Sequence, residues 1–197
     1  DRVVEFAEKP ASPKHMPGDP TKAFASMGLY IFNAKFLYEQ LVRDAGDPKS
    51  SHDFGGDIIP YFVNQGTAGA YDFTFNEIPG ATARDKSYWR DVGTMDSYYD
   101  AHMDLISTMP IFNLYNDEWP VFNQQINMAP AKFIHDSERN QGRTNDSIVS
   151  LGVVVSGSVI ERSVLSPNVR VFSRSLVTDS VILDNVEIGR DCTIRKA

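Results

Sequence analysis

The chain has 197 residues, of which 42% are hydrophobic and 23% charged, a composition that excludes a disordered chain and predicts a packed core. Its 19 Lys and Arg against 26 Asp and Glu give a net charge of -7, which excludes general attraction to nucleic acid or to a membrane surface. The single cysteine, Cys192, excludes an internal disulfide and a cysteine-based zinc cluster, and no apolar run approaches the ~20 residues of a membrane span.

Strand-like and helix-like patterns alternate over the first hundred residues. Extended runs are predicted at 2–8, 25–32 and 71–75, and the second of these places Ser26 and Tyr30 on one face. Helices are predicted from Ala34 to Gly46 with Asn33 as the cap, over 57–65, and from Met95 with Thr94 as the cap. This alternation predicts an α/β layer with a largely parallel sheet.

The last fifty residues repeat with a period of 17: the segment 163–171 matches the segment 180–188. Aliphatic residues recur every five or six positions within each copy, which predicts a hexapeptide-type parallel β-helix. Seven of them are predicted to point inward: Ile160, Leu165, Val171, Val177, Ile182, Ile188 and Ile194. The alternative explanation of the repeat is a chance alternation of Val and Ser. The agreement between the 17-residue period and the spacing of five or six residues within each copy argues against chance.

Three parts are therefore predicted: an α/β part over 1–108, an ordered connector over 109–145 and a β-helix over 146–197. The chain opens inside a strand-like run without Met, and its last coil is incomplete at Ala197. We expect a truncated sequence at both ends, with part of the α/β domain missing before Asp1.

Three short strings could carry chemistry, and each has a plainer explanation. FAEKP places Glu8 and Lys9 at the end of an extended run, where open α/β sheets bind ligands, although a surface ion pair explains it equally. WRDVGT places Asp91 before a helix, as a metal ligand or a helix-start charge. The third string, SHDFGGDIIP, is polar and turn-forming before a predicted helix, and its plainer explanation is the N-terminus of that helix. The four histidines have no metal-ligand spacing, and none lies in the repeats, which disfavours a hexapeptide acyltransferase.

In combination and in order, EKP, ASMGLY, SHDFGGDIIP, YWRDVGT and the hexapeptide repeats resemble the bacterial ADP-glucose pyrophosphorylases, or glucose-1-phosphate adenylyltransferases. The resemblance covers the whole chain. It implies the second half of a Rossmann-like nucleotidyltransferase domain followed by a left-handed parallel β-helix. Gly56 departs from the pattern, because some relatives have a lysine there.

The resemblance also implies roles for individual residues. Lys9 would bind the phosphate of glucose 1-phosphate, and Asp91 would hold Mg²⁺ together with an aspartate upstream of this chain. The remaining sugar-pocket residues implied by the resemblance are Glu8, Ser26, Tyr30, Asp53, Phe54 and Trp89. Catalysis is thereby assigned to Asp91 and Lys9.

The implied reaction transfers AMP from ATP to glucose 1-phosphate, giving ADP-glucose and pyrophosphate for glycogen or starch synthesis. The resemblance further implies a cytoplasmic bacterial homotetramer with phosphorylated allosteric effectors. Because the nucleotide loop lies upstream of Asp1, we expect this chain alone to be inactive. Two alternatives stay open: another sugar-1-phosphate nucleotidyltransferase, and a non-catalytic regulatory or assembly subunit.

Overall fold

The computed structural model describes residues 1–122, 124 and 127–197. The chain divides into two compact units, Asp1–Phe73 and Thr74–Ala197, and each has its own hydrophobic core. Residues 123, 125 and 126 of the predicted connector lie outside the described residues. None of the helices in the described part has both the length and the apolar character needed to cross a membrane.

Helix α1 (Ala34–Ala45) of the first unit begins and ends where the sequence predicts. The Asn33 side chain accepts a hydrogen bond from the backbone N–H of Phe36 at 3.3 Å, and the Gly46 N–H donates to the Arg43 carbonyl at 3.1 Å. The Asn side chain satisfies one of the free N–H groups of the first turn, which stabilises the helix start. The prediction of α1 is confirmed.

The second predicted helix starts three residues early, with a π-helical turn (Phe54–Ile58) that leads into α2 (Ile59–Asn64). Asp53 causes this start, because its side chain accepts from the Gly56 N–H at 2.6 Å and its carbonyl accepts from the Ile58 N–H at 3.3 Å. A bond over five residues is the π-helical pattern. The first core consists of the buried side chains Ile58, Ile59, Phe62 and Val63, packed against the partly buried Val3, Phe6, Phe32, Phe36, Tyr61 and Ala68.

The three extended runs predicted as strands do not form sheet ladders in the described residues. The first run pairs only through an antiparallel bridge between Arg2 and Gly69. The second bends at Gly28, whose φ is 72°, and the third contains a 3-10 turn, Phe73–Phe75. An alternating pattern becomes a strand only where a neighbouring strand takes up its backbone hydrogen bonds. The described residues 1–122 provide no such neighbour, so the predicted parallel sheet is not formed there.

Helix α3 (Met95–Leu105) in the second unit begins at the predicted cap. Thr94 accepts from the Ser97 N–H at 3.1 Å, while the Ser97 hydroxyl accepts from the Thr94 N–H at 3.1 Å, which is a reciprocal capping box. This prediction is confirmed. The ring of Tyr88, which precedes α3, stacks on the ring of Phe112, which follows α3, with centroids 5.1 Å apart.

In the described part of the second unit, eleven short strands form three parallel sheets, ordered β1-β4-β7-β10, β2-β5-β8-β11 and β3-β6-β9. Each strand pairs in parallel with its equivalent in a neighbouring coil, so the predicted parallel β-helix is confirmed. Its left-handed sense stays a prediction. The strands are β1 (Lys132–Ile134), β2 (Arg143–Asn145), β3 (Ile148–Val149), β4 (Val154–Ser156), β5 (Val159–Glu161), β6 (Val164–Leu165), β7 (Arg170–Val171), β8 (Leu176–Thr178), β9 (Val181–Ile182), β10 (Glu187–Ile188) and β11 (Thr193–Arg195).

The coil length shows where the β-helix departs from its sequence period. From Val159 onwards, residues paired between neighbouring coils are 17 positions apart in the chain. In the preceding coil they are 16 positions apart, as for Arg143 and Val159. Lys132, in the first coil, pairs with Val154, 22 residues later. The first coil is longer because a loop over 135–142 separates β1 from β2. Since β1 and β2 already belong to the β-helix, the predicted connector over 109–145 overlaps its first coil.

Aliphatic side chains fill the interior of the β-helix as predicted, with Ile160, Leu165, Val171, Val177, Ile182 and Ile188 buried and Ile194 partly buried. Buried serines line the same interior. The Ser163 hydroxyl accepts from the Ser180 N–H at 3.1 Å and donates to the Glu161 carbonyl at 2.8 Å. Ser175 bonds in the same way to the Cys192 N–H and the Gly189 carbonyl. Each hydroxyl thus joins two coils without leaving a buried polar group unpaired.

Candidate functional site

Glu8 and Lys9 follow the first extended run of the first unit. The Glu8 carboxylate lies so close to Gly55 that a Cβ added at that glycine would overlap Glu8 Oε2. Glu8 Oε1 is 3.5 Å from Lys9 Nζ, and the Lys9 side chain is 91% exposed. An exposed pair at this distance is weakly bound, so the ammonium remains available to an incoming anion.

Ser26 and Tyr30 face each other across the bend at Gly28. Their hydroxyl oxygens are 3.0 Å apart, and the Gly28 N–H donates to Ser26 Oγ at 3.2 Å. A straight strand would separate residues four positions apart by about 13 Å. The two side chains do meet, but because of the bend and not because of the predicted strand pleat.

Three aromatic rings form a wall beside these hydroxyls. The Phe54 ring lies 6.5 Å from Tyr30, with 13° between the planes, and 6.0 Å from Phe32. Tyr30 and Phe54 are 37% and 39% exposed, so the wall is partly open to solvent. Aromatic faces of this kind can pack against the apolar C–H face of a sugar ring while the neighbouring hydroxyls bind its polar edge.

Asp53 and Asp57 shape the loop that precedes the π-helical turn. Asp53 Oδ1 caps the turn through the Gly56 N–H, and Asp57 Oδ2 accepts from the Ser51 hydroxyl at 2.6 Å and the Asp53 N–H at 3.1 Å. The hydrogen bond from Ser51, followed by the bond from the Asp53 backbone, holds the pKa of Asp57 below its usual value. Each carboxylate therefore uses one oxygen, Oδ1 of Asp53 and Oδ2 of Asp57, to fix the loop that carries Phe54.

Trp89 and Asp91 lie in the second unit and form a local group just before α3. Asp91 Oδ1 accepts from the Gly93 N–H at 2.8 Å, and both Trp89 and Asp91 are exposed. In the described part of the chain, no group of three or more His, Cys, Asp or Glu side chains could hold a metal ion by itself. Mg²⁺ commonly uses one or two carboxylates plus substrate phosphates, so the hard oxygen donor of Asp91 fits a share in such a site.

The contacts within the first unit run from Lys9 to Glu8, from Glu8 to the Phe54–Gly55 turn, and from Phe54 through Tyr30 to Ser26. Five residues predicted from distant parts of the sequence thus come together, and Asp53 fixes the same turn. Trp89 and Asp91 are a separate group in the other unit.

Sequence reasoning missed Asp44 and Phe32. Asp44 is buried in the last turn of α1, where the helix dipole disfavours a negative charge. A carboxylate at such a position is a signal that side-chain partners hold it there. Ser50 and His52 are those partners, at 2.8 and 2.9 Å.

Two family descriptions match the chain: Nucleotidyl transferase over residues 1–108, and GlmU-like, C-terminal hexapeptide over residues 129–197. The Glucose-1-phosphate adenylyltransferase of Parafrankia sp. is 54% identical over 196 residues, which cover 99% of this chain and 48% of the relative. The proteins of the same name from Methylobacillus flagellatus and Bifidobacterium longum are 51% and 50% identical, over 45% and 47% of their lengths and 100% and 99% of this chain. The chain therefore spans about half the length of the curated relatives it matches.

Proposed function

The chain belongs to the nucleotidyl transferase family, and from this premise we propose that it forms the sugar-phosphate half of a glucose-1-phosphate adenylyltransferase. The observation that carries the proposal is the continuous set of contacts from Lys9 through Glu8 and Phe54 to Tyr30 and Ser26. It combines an available ammonium, a carboxylate, two hydroxyls and an aromatic wall, which are the groups that a sugar phosphate requires. The similarity to relatives of that name along the whole chain supports the same conclusion.

In the proposed reaction, a phosphate oxygen of glucose 1-phosphate attacks the α-phosphorus of ATP. The new P–O bond gives ADP-glucose, and the broken bond releases pyrophosphate. Lys9 binds the glucose 1-phosphate anion, and its charge reduces the repulsion between the two phosphorylated substrates. Glu8, Ser26 and the Oδ2 atom of Asp53 bind sugar hydroxyls, while Tyr30 and Phe54 pack against the ring. The sugar-binding role of Trp89 rests on the family resemblance alone.

Catalysis in such a site is mostly alignment, because little covalent work is asked of the protein. Bound Mg²⁺ would neutralise charge on the transferring phosphate. Asp91 would provide one of its ligands, and the Gly93 N–H fixes the orientation of that carboxylate. The ATP-binding residues and the second metal ligand are proposed to lie in the half that this chain lacks relative to its relatives.

The family likeness also supports a cytoplasmic homotetramer that responds to phosphorylated effectors and supplies ADP-glucose for glycogen or starch. Light scattering coupled to size exclusion measures the mass of a full-length enzyme that carries this sequence. A mass other than that of four chains would overturn the proposed homotetramer. Two alternatives concern the activity itself: synthesis of another nucleotide sugar, and a subunit without catalysis. Product analysis of a full-length enzyme that carries this sequence, with ATP and UTP as substrates, separates them. Our proposal requires ADP-glucose as the main product, whereas no turnover by that full-length enzyme would indicate the subunit.

The role of Lys9 is tested by Lys9→Ala in a full-length enzyme that carries this sequence. We expect the KM for glucose 1-phosphate to rise much more than the KM for ATP, because the lost cation contacts only the sugar phosphate. Lys22→Ala is the matched control, since Lys22 is an exposed lysine paired locally with Asp19. Equal rises for both substrates would contradict the assignment.

The role of Asp91 is tested in the same enzyme by Asp91→Asn. The change keeps the size of the side chain but removes the charge, so we expect mainly a fall in kcat. Asp96→Asn, at an exposed position in the first turn of α3, is the control. Near-normal turnover of the Asp91 variant would exclude a metal-binding role.

A further inference from the structure

We infer that Asp44 is a positioning residue for glucose 1-phosphate binding, acting through Ser50 and His52 on the loop 50–57; this role rests on the proposed function. Asp44 is only 6% exposed although it is charged. A buried carboxylate in the last turn of α1 is opposed both by desolvation and by the helix dipole. Its side-chain contacts must therefore offset these costs.

Both carboxylate oxygens of Asp44 are occupied by the loop. Ser50 Oγ donates to Oδ1 at 2.8 Å, and His52 Nδ1 lies 2.9 Å from Oδ2. An ionised carboxylate can only accept, so Nδ1 of His52 carries the shared hydrogen. The backbone N–H of His52 donates to Ser50 Oγ at 3.0 Å, so Asp44, Ser50 and His52 are each hydrogen-bonded to the other two.

Asp44 remains an acceptor at neutral pH. The hydrogen bond from His52, and next the one from Ser50, holds its pKa below the usual value. His52 has a φ of 59°, a left-handed conformation that a non-glycine residue adopts only at a cost. The bond to Asp44 helps to hold the backbone in that conformation.

The loop has a second anchor, but of a different kind. Asp57 accepts from the backbone and hydroxyl of Ser51 and from the Asp53 N–H, so successive loop residues are held alternately by Asp44 and Asp57. Asp57 belongs to the turn that the loop itself forms. Asp44 instead connects the loop to α1.

Helix α1 is a firm reference for this connection. Its Phe36 ring packs 5.0 Å from Phe62, and the Arg43 guanidinium lies 3.6 Å above the Tyr61 ring. Both contacts reach α2, which belongs to the core of the first unit. The position of His52 is thereby set by the packed core.

The position of His52 in turn determines the positions of the two residues that follow it, Asp53 and Phe54. Asp53 begins the π-helical turn, and Phe54 packs against Tyr30 at 6.5 Å. Loss of the Asp44 anchor would free both from the sugar-binding group while Lys9 and the second unit remain intact. The expected effect is therefore on sugar phosphate affinity and not on turnover.

Asp44→Asn in a full-length enzyme that carries this sequence tests the inference, through its separate effects on the KM for glucose 1-phosphate and on the KM for ATP. We expect the KM for glucose 1-phosphate to rise about tenfold, with the KM for ATP and the kcat within about twofold; tenfold is what loss of one charge-assisted bond would cause. Asp47→Asn is the matched control, because Asp47 lies two residues after α1 and, among the described residues, its side chain bonds only to the Lys49 N–H.

The pathway through His52 is tested by a double-mutant cycle. His52→Ala should raise the same KM, and the variant with both changes should be no worse than either single variant, because the residues act as one group. His52→Asn keeps a side-chain donor and tolerates positive φ, so we expect it to restore most of the affinity. Additive effects, or equal rises in both KM values, would overturn the role.

Hydrogen exchange measured by mass spectrometry separates this inference from the proposed function. Peptides that cover 50–58 should exchange faster in Asp44→Asn than in the wild type or Asp47→Asn, with α1 unchanged. If the wild type makes no ADP-glucose, the proposed function fails, and the exchange result still decides whether Asp44 holds the loop. Unchanged exchange, or faster exchange with an unchanged KM in an active enzyme, would overturn the inference.

Discussion

The hydroxyl of Tyr99 donates a hydrogen bond of 2.7 Å to the backbone carbonyl of Asp179, 80 residues later in the chain. Tyr99 lies on α3, within the region that matches the nucleotidyl transferase family, and Asp179 lies at a corner of the β-helix. Burial, and next the nearby Asp179 carboxylate, raises the pKa of the Tyr99 hydroxyl, which stays a donor at neutral pH. The bond therefore connects α3 to the β-helix within the second unit.

Tyr99→Phe should lower the free energy of unfolding by about 1 kcal/mol, because it removes one partly buried hydrogen bond and leaves the Asp179 carbonyl without this donor. Urea unfolding of the protein measures the difference. Tyr98→Phe, at an exposed neighbouring position, is the control and should change stability by much less. Equal effects of the two substitutions would contradict a specific role for the bond.

The β-helix corner at Asp179 predicts a pH dependence of stability. Arg162 donates to Asp179 from Nε at 2.7 Å and from Nη2 at 2.8 Å, and these bonds hold the pKa of the carboxyl below its usual 3.8. A lowered pKa stabilises the folded state above the unfolded value, and this contribution disappears as the pH falls through the folded pKa.

Arg162→Gln should therefore lower stability at pH 6 by an amount that shrinks steadily below pH 3.8. Urea unfolding at a series of pH values measures the difference from the wild type. Arg170→Gln, which replaces an exposed arginine on β7, should show no comparable trend. A difference that does not change with pH would rule out the ion pair as its cause.

Ser163→Ala tests the serines inside the β-helix. Ser163 is completely buried, and its hydroxyl serves the Ser180 N–H and the Glu161 carbonyl. Removing it leaves the buried Ser180 N–H without its acceptor, whereas the Glu161 carbonyl keeps a hydrogen bond from the Asp179 N–H at 3.1 Å, so we expect a loss of about 1–3 kcal/mol in denaturant unfolding. Ser166→Ala, on the partly exposed Ser166, should cost much less. If the two variants were equally stable, the serine bonds would contribute nothing beyond the space they fill.

Gly55→Ala tests the close approach of Glu8 to the Phe54–Gly55 turn. The new methyl group would overlap the Glu8 carboxylate, which must move away from the sugar-binding group. In a full-length enzyme we expect the KM for glucose 1-phosphate to rise about tenfold, as for one lost hydrogen bond to a charged group. Gly46→Ala, whose methyl group would meet only ordinary contacts, is the control. An unchanged KM would show that the position of Glu8 is not critical.

Much of the fold could be predicted because its signals are local. Asn33 and Thr94 cap their helices by contacts within three residues, and the inward aliphatics of the β-helix repeat at a fixed interval. The extended runs could not be predicted in this way. Whether 2–8 or 25–32 forms a strand depends on a distant neighbour, and Gly28 bends the second run where the pattern of alternation predicts a straight one.

The candidate site divides in the same manner. Glu8, Lys9, Asp53 and Phe54 stand in short strings that point to a sugar phosphate through a family resemblance. The contact of Glu8 with Gly55 and the stacking of Phe54 on Tyr30 involve separations that no spacing rule covers. Their roles in binding stay predictions.

By itself, the sequence determined the boundaries of α1, the start of α3, the 17-residue repeat and most of the chemical groups at the site, because caps, periods and motifs act over short distances. Only the tertiary structure decided which of those groups meet. The bend at Gly28 joins Ser26 to Tyr30, and a buried carboxylate on α1, Asp44, sets the loop that carries Phe54. Such contacts depend on how separate elements pack, and packing is a property of the folded chain as a whole.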